Sequence, residues 1–331
     1  MEATPGCALV AVIAPHVVPD NRAGLRALAI TDARPTTDGT SMSRTYKVVD
    51  VFTSRPLLGN PVAVVLEAEG LDTTDMQRIA RWTNLSETTF LLPPTVPGAD
   101  YRLRIFTPRS ELPFAGHPTL GSAHAALEAG RVQARDGRLV HECGVGLIAL
   151  AVRGDGADRR LTFDLPPARL TPLQPGDIDE LEAVLGHPVV RGIAPAVVNV
   201  GPQWVVAQLP SAADLLALRP DFARSAAFER RLGVTGLSVF ALHDGGSEEI
   251  EVRSFAPSCG VDEDPVCGSG NGSVAVFLRE RHLIAAQGTR YTAAQGQCVG
   301  REGRVAVTVR PDGAVSVGGS CVTCVDGRLT C

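Results

Sequence analysis

The chain has 331 residues, more than one ordinary hydrophobic core takes up and suited to two domains of ~150 residues each. Its apolar share of 44% and charged share of 20% are those of a globular protein, and its net charge of −5 is spread along the chain. Without a basic block or an apolar run near the ~18 residues that span a bilayer, the sequence argues against nucleic-acid and membrane partners.

Residues 1–44 carry no sustained periodicity and close on a Thr/Asp/Gly/Ser-rich run, Thr36 to Ser43, so they read as a detachable, disordered extension with Met42 as an alternative start. The apolar stretch Cys7 to Val18 follows Glu2 rather than basic residues and is broken by Pro15 and His16, so it reads as non-signal. Eight cysteines scattered over a large chain without an export signal point to reduced thiols in a cytoplasm. Lys47 is the only lysine and falls on an apparent strand, which argues against a pyridoxal cofactor held by a lysine.

Ordered structure is expected from Tyr46. Two β-branched runs, Lys47 to Phe52 and Val62 to Leu66, flank the turn Pro56-Leu-Leu-Gly-Asn60 and read as a hairpin. Asp72 or Thr73 caps a helix with Met76, Ile79 and Ala80 on one face, ending near Asn84. Strands follow at about Glu87 to Leu92 and Tyr101 to Thr107, then a helix opening in Pro113-Phe-Ala-Gly-His-Pro-Thr-Leu-Gly121 and stopping at Gly130. Leu165-Pro-Pro-Ala168 reads as a linker. Beyond it the plan repeats: a hairpin through Val197 to Leu209, helices near Ala212 to Leu218 and Ala223 to Leu232, a strand from Glu249 to Phe255, and a helix after Asp264-Pro-Val-Cys-Gly-Ser-Gly-Asn-Gly272. Phe106-Thr-Pro with Ala-Gly-His mirrors Phe255-Ala-Pro with Cys-Gly-Ser, and Asp50 and Asn199 repeat at nearly the same offset, as in a duplicated domain. The helix Ser273 to Leu278 is apolar on nearly every side and belongs in the middle of a sheet wrapped around it.

Each repeat sets a Gly-rich turn at the start of a buried helix. Unpaired N–H groups there, with the partial positive charge of the helix end, suit a carboxylate, and glycine lets it come close. Titratable residues gather at these turns: His117 after Gly116, Asp264 before Gly268, and Glu87 where a helix gives way to a strand. A carboxylate at the edge of a closed cleft can have a raised pKa and serve as a base. Each also has a plain structural use, Glu87 satisfying backbone donors, His117 as a buried hydrogen-bonding histidine, Asp264 before Pro265 as a turn residue.

Together, Asn84-Leu-Ser-Glu-Thr88, Pro113 to Gly121, Glu263 to Gly272, the opening Tyr46 to Leu66 with its Gly59-Asn60-Pro61 turn, and the closing Val317 to Val325 resemble the PhzF-like family in order, over about Tyr46 to Thr330. The resemblance implies an α+β fold of the diaminopimelate-epimerase type: two pseudo-symmetric domains, each a barrel-like, mostly antiparallel sheet around a central helix, with the site between them. It implies domains at 45–166 and 167–318, with the last strand, about 319–331, returning to the first. It further implies a cofactor-independent isomerase of secondary metabolism that shifts a proton in a small unsaturated or cyclic carboxylic acid, without metal. In that role Glu87 matches the catalytic base, His117, Asp264 and Ser269 match site residues, and Gly116 and Gly268 match the backbone that holds the substrate carboxylate. Homodimerisation, common in the family, is expected too.

Racemases of this fold use two thiols, one before each helix start. Here Cys267 holds one position but Ala115 the other, and alanine carries no proton, so a two-cysteine racemase is disfavoured. A single-thiol epimerase using Cys267 and a non-catalytic small-acid binder stay open. Cys321-Val-Thr-Cys324 lies in a β-like run with no second pair at zinc spacing, and Gly268 to Gly272 lacks dinucleotide spacing, so neither suggests a metal or a nucleotide.

Overall fold

The β-branched run expected from Lys47 to Phe52 forms a strand that begins earlier: β1 spans Ser43–Val51 and pairs antiparallel with β2 (Asn60–Val65). In the computed structural model, residues 42–243, 250–284 and 288–331 are described. All but the last three residues of the expected extension lie outside them, as does Glu249, the expected start of a later strand.

Helix α1 (Thr73–Thr83) is bounded as its sequence dictates. The Asp72 side chain accepts from Asp75 N, and Asn84 closes the helix in the left-handed region at φ 55°. Its buried residues Met76, Ile79 and Ala80 pack with Phe90 and Phe106. There follow β3 (Thr88–Leu92), β4 (Tyr101–Phe106), the short β5 (Glu111–Leu112), helix α2 (Gly116–Glu128), β6 (Arg138–Cys143), β7 (Gly146–Arg153) and β8 (Arg160–Asp164). Past the irregular stretch 165–168 come β9 (Arg169–Pro172), α3 (Pro175–Leu185), β10 (Ala196–Asn199), β11 (Gln203–Gln208), α4 (Ala212–Ala217), α5 (Phe222–Leu232), β12 (Gly236–Leu242), β13 (Ile250–Ala256) and β14 (Val261–Asp264). Helix α6 (Gly268–Glu280), β15 (Thr289–Gln295), β16 (Gly303–Val309), β17 (Val315–Gly319) and β18 (Cys321–Thr330) complete the described chain. Helix α3 has no counterpart in the sequence reading.

Hydrogen bonding links the strands in the order β18-β1-β2-β3-β4-β6-β7-β8-β17-β16-β15-β13-β12-β11-β10-β9. The parallel pairs are β2–β3, β4–β6, β15–β13 and β12–β11, and the others in this order are antiparallel. Read from either end, the order of parallel and antiparallel pairs is the same, and the centre is the β8–β17 pair. That palindrome is the duplication expressed in hydrogen bonds.

One set of strands, β1–β4, β8 and β18, packs on α2; the other, β9–β12, β16 and β17, packs on α6. Both central helices are buried on all sides. From Gly270 to Leu278 every residue of α6 is buried, as is every residue from His117 to Ala126 of α2. Each fully buried Val, Leu or Phe contributes roughly 1.5–3 kcal/mol relative to exposure, which is why an all-round apolar helix takes the middle of a barrel. Helices α3, α4 and α5 cover the outside of the α6 barrel through a second core around Leu181, Leu185, Leu215 and Phe228.

Lys47 takes no part in a cleft. Its ammonium is buried between Glu128, 2.9 Å away, and Asp326, 2.7 Å away. Burial lowers its pKa, but the hydrogen bonds to Asp326 and Glu128 outweigh that and leave it raised, the reverse of what an amine nucleophile needs.

Candidate active site

Glu87 is placed by the break between α1 and β3. The left-handed turn at Asn84 ends the helix, and the Glu87 carbonyl accepts from Ala63 N at 3.3 Å, which joins the segment to β2. His117 is the second residue of α2. The two side chains meet with His117 Nε2 3.2 Å from Glu87 Oε2, outside hydrogen-bond angles, and both atoms are buried with no hydrogen-bond partner among the described residues. Buried polar atoms left facing each other in this way are costly in a core and are what a ligand site presents.

Asp264 ends β14 on the α6 side. Its Oδ1 accepts from Val266 N at 3.0 Å and from Asn60 Nδ2, which comes from the α2 side, also at 3.0 Å. The same Asn60 nitrogen is 3.0 Å from the Val266 carbonyl and 3.4 Å from His117 Nδ1. The structure thus brings three sequence-distant groups, Glu87, His117 and Asp264, into one cluster with Asn60 among them.

The electrostatics follow from burial. The Glu87 carboxyl is pushed up to about 7, chiefly by desolvation and against a hydrogen bond from Ser86. Desolvation pushes His117 down to about 4, although the Asp264 charge and the Pro61 carbonyl act the other way. Asp264 is raised by burial, with the His117 and Glu87 charges acting in opposite senses on it. A neutral imidazole therefore faces a carboxyl poised to gain or lose a proton near neutrality.

The two helix starts are alike but not identical. Gly116 opens α2 behind Ala115, whose side chain makes no cap; Pro118 brings no N–H, and Thr119 N donates to Ala115 O, so the Gly116 and His117 amides are the ones left for a ligand. Gly268 opens α6 behind Cys267. There Gly270 N donates to Cys267 Sγ at 3.3 Å and Asn271 N to Cys267 O, leaving the amides of Gly268 and Ser269. Each starting glycine is pressed by an aromatic ring: a Cβ on Gly116 would lie 3.1 Å from Phe163 Cζ, and one on Gly268 would lie 3.0 Å from Phe52 Cζ. Phe52 is fully buried at φ 65°, in the left-handed region that bulky residues avoid, and its carbonyl accepts from Arg304 N at 2.7 Å.

Cys267 Sγ lies 3.6 Å from Ser269 Oγ. Burial and the neighbouring Asp264 push its thiol well above 9, so it stays protonated, caps the helix and is a poor base. Ser269 Oγ accepts from Trp204 Nε1 at 3.0 Å, and since an indole can only donate, the serine's own proton is free to point elsewhere. The Gln295 side chain takes up Cys267 N and the Asn271 amide and donates to the Asp264 carbonyl.

Asn60, Trp204, Asn271 and Gln295 were not singled out in the sequence. Asn60 had a signal in its Gly59-Asn60-Pro61 turn, but asparagine there reads as turn chemistry. Asn271 lay within the Gly-rich Asp264 to Gly272 turn without a role of its own, and Trp204 and Gln295 sit in ordinary strand patterns.

Comparison with known proteins gives the chain its family. The family model of phenazine biosynthesis-like proteins (PhzC-PhzF) matches residues 49–327. A Schizosaccharomyces pombe protein named antisense-enhancing sequence 1 is 40% identical, covering 86% of this chain and 97% of its own. The trans-2,3-dihydro-3-hydroxyanthranilate isomerase of Pseudomonas chlororaphis is 39% identical, over 77% of this chain and 87% of its own. In fold, the crystal structure of a Bacillus anthracis PhzF-family protein superposes with a TM-score of 0.79 at 22% identity, covering 87% of this chain and 99% of that one. The duplicated fold is thus that of PhzF-family structures, and the chain belongs to the PhzF-type, phenazine biosynthesis-like family of isomerases.

Proposed function

We propose that this isomerase shifts a proton within a small unsaturated or cyclic carboxylic acid, with Glu87 as the base. The observation that carries the reading is the buried Glu87–His117 pair, unsatisfied at 3.2 Å, with the carboxyl raised to about 7. A base of that pKa is half ionised near neutrality and returns the proton as readily as it takes it. The carboxylate of the substrate goes to the first-turn amides of Gly116, His117, Gly268 and Ser269. Glu87 removes a proton from carbon, the electron pair moves into the conjugated system toward the held carboxylate, and the proton comes back at another carbon from Glu87 or through His117 and Asp264. Because relatives carry the name trans-2,3-dihydro-3-hydroxyanthranilate isomerase, that compound and its close analogues are the first substrates to try. The reading takes in no metal or organic cofactor, domains at 45–166 with 319–331 and at 167–318, and a cytoplasmic homodimer. Light scattering that finds only the single-chain mass would remove the dimer.

The test is deuterium uptake by NMR in heavy water with a panel of such acids. Wild type and Cys267→Ser are expected to exchange at rates within about threefold, because serine keeps the helix cap, and Glu87→Gln to bind without exchanging. Exchange that survives in Glu87→Gln and disappears in Cys267→Ser would hand the role to the thiol. Tight binding with no exchange of any panel acid, the named relatives' substrate included, would favour a binder.

A further inference from the structure

Asn60, from the α2 side, touches both His117 on α2 and Asp264 on the α6 side. Its amide nitrogen can only donate; its two protons go to Asp264 Oδ1 and the Val266 carbonyl, each at 3.0 Å, and it also lies 3.4 Å from His117 Nδ1, whose part in the contact depends on the imidazole tautomer. It is 2% exposed, so water does not compete for these bonds. The turn that presents it has little freedom. Gly59 N donates to Asp50 Oδ2 at 3.1 Å, and a Cβ on Gly59 would fall 2.5 Å from the Val51 carbonyl. Pro61 then fixes the following backbone.

We propose that Asn60 is a positioning residue of the reaction, whose side-chain amide ties Asp264 and the turn before α6 to His117 on α2 and so sets the geometry in which the proton is passed on. The inference rests on the isomerase reading above. A residue that merely joined the two barrels would find backbone acceptors sufficient; this one gives a proton to Asp264 and one to the carbonyl just ahead of the α6 start, and holds its amide against the His117 ring. Its donation to Asp264 also bears on charge, since a hydrogen bond given to a carboxylate favours the ionised form.

Two variants separate position from bulk. Asn60→Ser is too short to reach Asp264. Asn60→Asp keeps the shape but places a carboxyl where a donor was. The titratable groups around that position are His117 on α2, Glu87 ahead of β3, Asp264 on β14, Cys267 at the start of α6, and Asp50 on β1. Above its own pKa the introduced carboxylate repels that of Asp264; once protonated it donates to Asp264 as asparagine does. The ratio of variant to wild-type kcat is therefore expected to rise as pH falls for Asn60→Asp and to stay flat and low for Asn60→Ser. The loss at about pH 8 is expected to be roughly tenfold to a hundredfold, the size of a hydrogen bond to a charged group, with KM changed less. A flat ratio for Asn60→Asp, or Asn60→Ser within about twofold of wild type, overturns the proposal.

A second arm needs no substrate. In imidazole ¹⁵N spectra, with His117 assigned by its loss in His117→Gln, Asn60→Asp is expected to shift the His117 titration curve, because a titrating carboxyl then faces Nδ1 and the two groups titrate together. An unmoved curve overturns the placement. If both variants fail to fold, the wild-type Asn60 side-chain amide decides: slow exchange and a shift in Asp264→Asn support the proposal, and free exchange sinks it. If wild type turns over no acid, the isomerase reading fails, while these spectra still report on Asn60.

Discussion

At the scale of single residues, Glu87 links activity to stability. Its carboxyl stands at about 7 instead of the ordinary 4.5 because it is buried. In the proposed role of base it must be ionised, so kcat/KM is expected to climb as pH rises through about 7 and then level off; a profile flat from about pH 5 to 8 would remove it as the base. The stability sign is opposite. A carboxyl with a raised folded-state pKa contributes stability that is whole below about 4.5 and lost as pH rises through about 7. Glu87→Gln is therefore expected to melt higher than wild type at about pH 8, by at most on the order of 3 kcal/mol, and to match it at about pH 4.5. Thermal melts at the two pH values check this, and an equal difference at both contradicts it. That Glu87, His117 and Asp264 come together was legible, since each stands in a motif at an element boundary. Asn60 and Trp204 were not, because their roles lie in partners distant in the chain: position 60 meets 264 and 266, and position 204 meets 269.

At the scale of elements, the helix starts combine packing with binding. Gly116 and Gly268 leave their amides open, and each also lies under a ring, Phe163 and Phe52. Phe52 has least room to yield, being fully buried with a left-handed backbone. Gly268→Ala is expected to lose about 1–3 kcal/mol through overpacking, more than Gly116→Ala, as read by urea unfolding. Equal, negligible losses would mean the rings swing aside. Both changes should also weaken acid binding if the amides take the carboxylate. The sequence announced these two helices through Gly-rich turns and unbroken apolar character, and announced α1 through Asp72 and Asn84. It was silent on α3, although Pro175 at its first turn and Gly186 at its close are ordinary bounding signals. Only Leu181, Val184 and Leu185 of that helix are buried, so its apolar stripe is short.

At the scale of the molecule, the duplication was visible in the repeated motifs, but the strand order was not, because pairing partners such as β8 and β17 lie half a chain apart. Strand β18 supplies the outer partner of β1 and, through Asp326, one of the two anions on the buried Lys47. Deleting residues 320–331 is expected to abolish the cooperative melt followed by circular dichroism, since it opens β1 and takes one counter-charge from a buried cation. A sharp melt near the wild-type temperature would show that the α2 barrel holds without it.

The β1–β18 ladder carries a consequence for how the chain can be cut and rejoined. Ser43 and Thr330 are register partners, so the two ends of the described fold lie side by side, while 165–168 crosses between repeats outside any strand. A circular permutant that begins at 167, bridges Thr330 to Ser43 with a few flexible residues and ends at 166 should therefore keep every ladder and the cluster of Glu87, His117 and Asp264. In such a chain the repeat now second would be made first, and the order of the two halves would prove to be an accident of descent with no bearing on the chemistry between them.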